Sequence, residues 1–532
     1  MKIFSGMAPV WSAEVARCEP VVALFVPLLF ALLLLVSSAV PAAQAKPTLA
    51  PIFSDGLVLQ RNKSVEIWGA AKPGERVEVQ VAGQRKSASA DAHGKWRVRL
   101  APMPSGTGLE LVVAGGGKGE DKLVVRDVAV GDVWLCSGQS NIGFPIHGSD
   151  ALPQDLSDAD TLKIHIFSQW KNVQTGKVPP GTWSVIDKAK VSLITTPAIP
   201  YLFARQLQQK KKVPTAILLL NCGGAPIETF LPPKTIKRFS VKPDSILPPF
   251  KLSENYRAYL EPFLRFSIKG ILWYQGESNF NAPAFYKKIF PAFITDWRKE
   301  LADPTVPLFF VQLPNHGNRV ATPVDALWAE LREAQTAALT LPDVYMVVSV
   351  DTASGDPAKM HPAEKWIIAQ RLSEFALLKD RGAGAVPVPR IIGPSFKSFR
   401  IGGDRVFVTI NNGVCSGMGL TLNENETHSF EVAGADRVFH WATARKVMGA
   451  RSVDAASKAP HSDVARGRGD APNGVTEIEL RSDEVKHPVA ARYAWADNPV
   501  CSVSGGGLPL APFRTDRWPT HPQINKADWN PQ

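Results

Sequence analysis

The chain has 532 residues, 45% of them hydrophobic and 20% charged, which excludes a disordered polypeptide and exceeds what one ordinary core holds; about three domains fit that length. Its net charge of +11 would suit a polyanionic substrate, a cell wall or a membrane surface. The basic residues are scattered, however, and no basic helix or aromatic-interleaved patch points to nucleic acid.

Residues 21–40, "VVALFVPLLFALLLLVSSAV", are almost wholly apolar, and Ala43-Gln44-Ala45 supplies the small-x-small pattern of a signal-peptidase site. Residues 1–45 therefore read as a signal peptide. The apolar stretch is long and Glu14 and Glu19 precede it, so an uncleaved anchor is the alternative. Both readings predict export to the periplasm, cell surface or medium, and no later segment is long and apolar enough to span a bilayer. Cys136, Cys222, Cys415 and Cys501 lack CxxC spacing, which argues against a zinc or redox motif. Cys136 and Cys222 both end apolar runs and read as buried thiols, a bridge between them being the alternative.

Over residues 46–127 the pattern has period two, as in "RVEVQV" and "KWRVRL", with Gly and Pro at the turns; it predicts an N-terminal β-sandwich. Over 128–385 short apolar runs alternate with helical stretches. The predicted strands are 132–136, 216–221, 270–275, 307–313 and 344–351, and the predicted helices are 201–209, 256–267, 282–301, 328–339 and 362–378. Strands apolar on both faces, alternating with helices, predict a parallel sheet covered on both sides, with an active site beyond the strands' carboxyl ends. Period two returns over 386–520 ("RVFVTI", "VTEIEL", "ARYAWA") and predicts a C-terminal β-domain with a polar insertion at 453–474, followed by a tail at 521–532.

The ends of the predicted strands carry chemistry. The first runs into Ser137-Gly138-Gln139-Ser140-Asn141, the second into Cys222-Gly223-Gly224, and the third into Gln275-Gly276-Glu277-Ser278-Asn279. The fifth ends at Asp351, ten residues before His361. Acyl transfer needs this set: a hydroxyl nucleophile, a base for its proton, and donors for an oxyanion. Singly, Ser140 reads as a helix N-cap, the glycines as a turn, Gln275 as a strand cap and His361 as an N-cap before Pro362. Jointly, on one rim of one sheet, they read as a site. His361 is the best base among ten histidines, and at a helix start the dipole would favour its neutral form.

"GDVWLCSGQSNI", "GGAPIE", "WYQGESN", "WAELREAQ" and "MHPAEK" resemble, in order and approximate spacing, the sialate O-acetylesterase family of the SGNH (GDSL-like) hydrolases. "IFSDGLVLQRNKSVEIWGAAKPGE" and "ARYAWADNPVCSVSGGGLPLAPFRTDRW" are similar to that family's flanking β-regions, so the resemblance covers about residues 47–518. It implies an SGNH-type α/β fold flanked by two β-domains. It also implies Ser140 as nucleophile and His361 as base, with an oxyanion hole from the backbone of Ser140, Gly223 and Gly224 and the side chain of Gln275. Gln139, Asn141, Glu277 and Asn279 would shape the wall. The positions where many SGNH enzymes carry an Asp before the histidine hold Ala358 and Lys359 here. Asp356, Asp351 or a backbone carbonyl is then left to orient His361. Ile142 and Ala225 stand where the family usually has Met and Thr, and neither departure touches Ser140 or His361.

The implied activity is metal-free and cofactor-free removal of acetyl groups from sugar hydroxyls, of the sialate 9-O-acetyl type, with acetylated xylan or another polysaccharide as the alternative substrate. Arg-rich rims would suit the sialate carboxylate, and Trp273, Tyr274, Phe280 and Trp328 could stack on sugar faces or fill the core. An inactive exported glycan-binding protein is the reading from a different class. A general lipase or protease is disfavoured by the absence of GxSxG. Sequons at Asn62 and Asn425 matter only in a host that glycosylates exported proteins.

Overall fold

The computed structural model describes residues 46–115, 121–169, 180–191, 196–353, 360–381, 388–413, 419–447 and 474–520. Outside them lie the leader, most of the 453–474 insertion, the 521–532 tail, Cys415, and Asp356 with Ala358 and Lys359.

The central sheet contains seven strands: β1 (Asp121–Gly138), β2 (Ile164–Ser168), β3 (Thr182–Ile186), β4 (Thr215–Asn221), β5 (Gly270–Tyr274), β6 (Leu308–Val311) and β7 (Val344–Val347). Their spatial order is β3-β2-β4-β1-β5-β6-β7, parallel except for the antiparallel edge strand β3. Every residue of β4, β5, β6 and β7 is buried, as unbroken apolar runs covered on both faces require. Four α-helices supply most of the cover: α1 (Ala198–Lys211), α2 (Pro283–Glu300), α3 (Leu327–Thr336) and α4 (Trp366–Asp380). The five strands predicted from sequence are present; β2 and β3 are additions. The predicted helix over 256–267 is instead a short π turn (Tyr256–Leu260) followed by a 3-10 turn (Glu261–Phe263). Pro262, which has no N–H to donate, sits where an α-helix would need one.

Strand β1 is 18 residues long and belongs to two neighbourhoods. Its first half pairs with Gly106–Gly115 and Val58–Gln60, its second half with β4 and β5. The boundary at residue 127 thus falls inside a strand. In the preceding segment Arg76–Val81 and Lys95–Leu100 bury alternate residues as their period-two pattern predicts. One hydrophobic core runs from that segment into the α/β layers. The C-terminal strands form a seven-stranded antiparallel sheet with a core of their own, built on Val406, Val408, Ile410, Phe430 and Tyr493.

Candidate active site

The loop after β1 starts from a constrained glycine. Gly138 has φ +136°, and a Cβ on it would lie 2.1 Å from the Tyr274 carbonyl oxygen of β5. No other residue fits there. The Ser137 hydroxyl donates to Leu220 O at 2.6 Å, tying β1 to β4, and the Gln139 N–H donates to Tyr274 O at 3.0 Å. With both neighbours pinned, Ser140 sits half-exposed in a turn beyond the strand end and caps no helix.

His361 arrives from the chain beyond β7, the last strand in the sheet order. Its Nε2 lies 2.7 Å from Ser140 Oγ, in place to accept the hydroxyl proton, and its ring stacks on Phe144 at 5.9 Å between centroids. The expectation that His361 opens a helix is corrected here: α4 begins at Trp366, so no helix dipole acts on the ring. The imidazole is nevertheless held below its ordinary range, first by burial and then by the charge of Lys365. The neutral form foreseen from sequence has a different cause.

The glycine pair is beside the serine. Gly224 has φ +68°, and a Cβ on Gly223 would stand 3.9 Å from the Ser140 Cβ, so this backbone passes directly alongside the hydroxyl. Gln275 is corrected. It is fully buried, and its amide nitrogen is spent on Asn279 Oδ1 at 2.8 Å and on Ala225 O and Gln139 Oε1 at 3.3 Å each. Tyr286 donates to its oxygen at 3.0 Å. Gln275 is therefore a brace behind the wall, and Gln139 and Ser278 are in front of it.

The two acid-and-amide pairs play separate parts. Asn279 donates to Glu228 at 2.8 Å and accepts from the Ile227 N–H at 2.9 Å, which locks the "GGAPIE" loop onto the "GESN" loop. Asn141 donates to Glu277 at 2.5 Å and to Met360 O at 3.1 Å, and accepts from Lys365 at 2.7 Å. Lys365 is 1% exposed, and sequence reasoning missed it although "MHPAEK" contains it.

Asp351, one candidate for orienting His361, accepts from the Arg371 guanidinium of α4 through both carboxylate oxygens, at 2.8 and 2.7 Å. That pairing ties the end of the β7 segment to the helix. Asp356 lies outside the described residues. No disulfide joins Cys136 and Cys222; Cys136 is fully buried, which pushes its thiol far up.

A cavity of about 600 Å³ opens over Ser140 and His361. Its lining includes the apolar side chains of Ile246, Leu247, Pro248, Phe250, Phe280 and Met360, together with Asp244 and Glu277. Among its described lining residues there is no Lys or Arg. Of the four aromatics proposed for sugar stacking, only Phe280 lines this cavity. Trp273, Tyr274 and Trp328 are at most 4% exposed, and Trp273 packs against Phe230, Phe293 and Trp297.

Comparison with known proteins places these residues in context. The family described as "Carbohydrate esterase, sialic acid-specific acetylesterase" matches residues 130–375. Sialate O-acetylesterases of Homo sapiens and Pongo abelii are each 28% identical over 372 residues, spanning 61% of this chain and 69% of theirs. A solved carbohydrate acetylesterase from Xanthomonas citri is 31% identical, with a TM-score of 0.71 over 89% of this chain and 100% of that one.

Proposed function

Because this chain belongs to the sialic acid-specific acetylesterase family of carbohydrate esterases and is a carboxylic ester hydrolase, we propose that Ser140 is its nucleophile and His361 its general base. The observation that carries the assignment is the 2.7 Å contact between Ser140 Oγ and His361 Nε2 at the floor of the cavity.

In this mechanism Ser140 Oγ attacks the acetyl carbonyl carbon of an O-acetylated sugar while His361 Nε2 takes the hydroxyl proton. The oxyanion is held by the backbone amides of Ser140, Gly223 and Gly224. Collapse breaks the bond to the sugar oxygen, which leaves with the proton from His361. Water, deprotonated by His361, then attacks the acetyl-serine and releases acetate. Losing one oxyanion donor costs about a hundredfold or more in turnover. Gln139, Asn141, Glu277 and Asn279 serve as wall and scaffold. The SGNH-type layout, with a catalytic core over 128–385 that shares strand β1 and its hydrophobic core with the β-segment over 46–127, and a C-terminal β-domain over 386–520, belongs to the same reading. It is supported by the six parallel strands and by the separate C-terminal core. An exported location is part of it too, resting on the leader alone.

For the alcohol, an O-acetylated sialic acid is favoured by the family and by the sialate O-acetylesterase relatives, with an acetylated polysaccharide of the xylan type as the alternative. The apolar residues in the cavity lining suit sugar ring faces in either case. The inactive glycan-binding alternative is disfavoured by membership in a family of hydrolases and by the Ser–His contact. The test is acetate release from acetylated xylo-oligosaccharides and from 9-O-acetylated sialic acid. Ser140→Ala should abolish release from whichever is cleaved, and an active Ser140→Ala variant would remove the basis of the assignment.

A further inference from the structure

Lys365 has no part in the chemistry just described, yet its ammonium is buried beside it. It donates to Asn141 Oδ1 at 2.7 Å and sits 4.8 Å from the centre of the Phe144 ring, which also stacks on His361. Asn141 follows the nucleophile in sequence, and through its donation to Met360 O at 3.1 Å it holds the residue preceding the base. One side chain thus clamps the two loops whose separation sets the Ser140–His361 distance, and Lys365 holds that side chain. A buried ammonium is costly to keep, and a lysine with no role in recognition would ordinarily reach solvent.

We propose that Lys365 is a positioning residue for esterolysis: through Asn141 it fixes the nucleophile loop against the histidine loop, with its ammonium held beside the reacting pair. The proposal rests on Ser140 and His361 being the reacting pair. The charged groups around Lys365 are Glu277 from the loop after β5, Asp150 from the loop after β1, Glu364 beside it in sequence, and His361 itself. Glu277 receives a 2.5 Å bond from the same Asn141, so carboxylate and ammonium flank one amide. Burial brings Lys365 down to about 7. It therefore keeps its proton to higher pH than His361, which is held below the ordinary histidine value. The sign follows: a cation nearby disfavours imidazolium, so removing it lets His361 protonate at higher pH.

The experiment is the pH profile of kcat/KM for wild type, Lys365→Met and Lys365→Arg, with folding checked by circular dichroism and Ser140→Ala as a control. Lys365→Met should lose at least about tenfold in kcat with little change in KM. Its acid limb should move to higher pH by on the order of half a unit or more. Lys365→Arg keeps the charge and should keep the acid limb in its wild-type place even with reduced kcat. An unmoved limb in folded Lys365→Met overturns the proposal. A limb that moves in Lys365→Arg does so as well, which serves if the methionine variant fails to fold. Activity surviving in Ser140→Ala would instead undo the catalytic assignment on which the proposal stands.

Discussion

Replacing Gly138 by alanine isolates how tightly the nucleophile is tied to the sheet. The new Cβ would lie 2.1 Å from Tyr274 O, 2.7 Å from Tyr274 C and 3.0 Å from Tyr274 N, all backbone atoms of the adjacent strand. None can swing away as a flexible side chain would. Holding a non-glycine residue at φ +136° costs about 1–3 kcal/mol, and forcing β1 from β5 to relieve the overlap costs about 1–3 more. The sum, about 2–6 kcal/mol, is a large part of a typical stability of about 5–15. Relief by local opening would displace Ser140, two residues on, and a shift of about 1 Å in a reacting group costs about a hundredfold in rate. Gly74 is the control: φ is +78° there, but a Cβ meets nothing within 4 Å, so alanine at that position incurs conformational strain alone. Thermal unfolding and hydrolysis of p-nitrophenyl acetate should show Gly138→Ala losing both stability and activity, and Gly74→Ala losing only a little stability. Two variants with the same melting temperature and activity within twofold of wild type would refute the reasoning.

Phe280→Ala should raise KM for an acetylated oligosaccharide severalfold with an unchanged melting temperature, whereas Trp273→Ala should lose about 3–5 kcal/mol of stability as a core cavity, read by denaturant unfolding. Asp351→Asn should lower the melting temperature by loosening α4 from the β7 end while leaving kcat/KM within about threefold. A fall on the order of 10⁴-fold would assign Asp351 to His361 after all.

The parallel sheet was legible because β4, β5, β6 and β7 are buried on both faces, and burial of that kind leaves an unbroken apolar run in the chain. Strands β2 and β3 were not. "IHIFS" and "TWSVI" are five residues long and carry His165, Ser168, Thr182 and Ser184, so neither shows a run that separates strand from loop. Ser140 and His361 could be named from residue type and position at the strand ends. The fates of Gln275 and Lys365 could not, because they depend on where a side chain points once residues 136 and 224 positions away have arrived. Nothing in a local pattern records whether an amide faces a cavity or braces the wall behind it, or that a lysine gives up solvent for an asparagine. His361 followed by Pro362 looks like a helix start, yet the chain spends four more residues before turning into α4.

Strand β1 has a consequence for modularity. Because one unbroken strand is hydrogen-bonded to Gly106–Gly115 at its beginning and to β4 and β5 at its end, the segment before residue 128 is not a cassette that can be exchanged or trimmed while the remainder stays intact. Cutting there removes half of a continuous backbone ladder and bares the edge of the other half, in the strand that leads directly to Ser140. Any recombination among relatives must therefore carry β1 together with Val58–Gln60, Gly106–Gly115, β4 and β5, the four segments bonded to it.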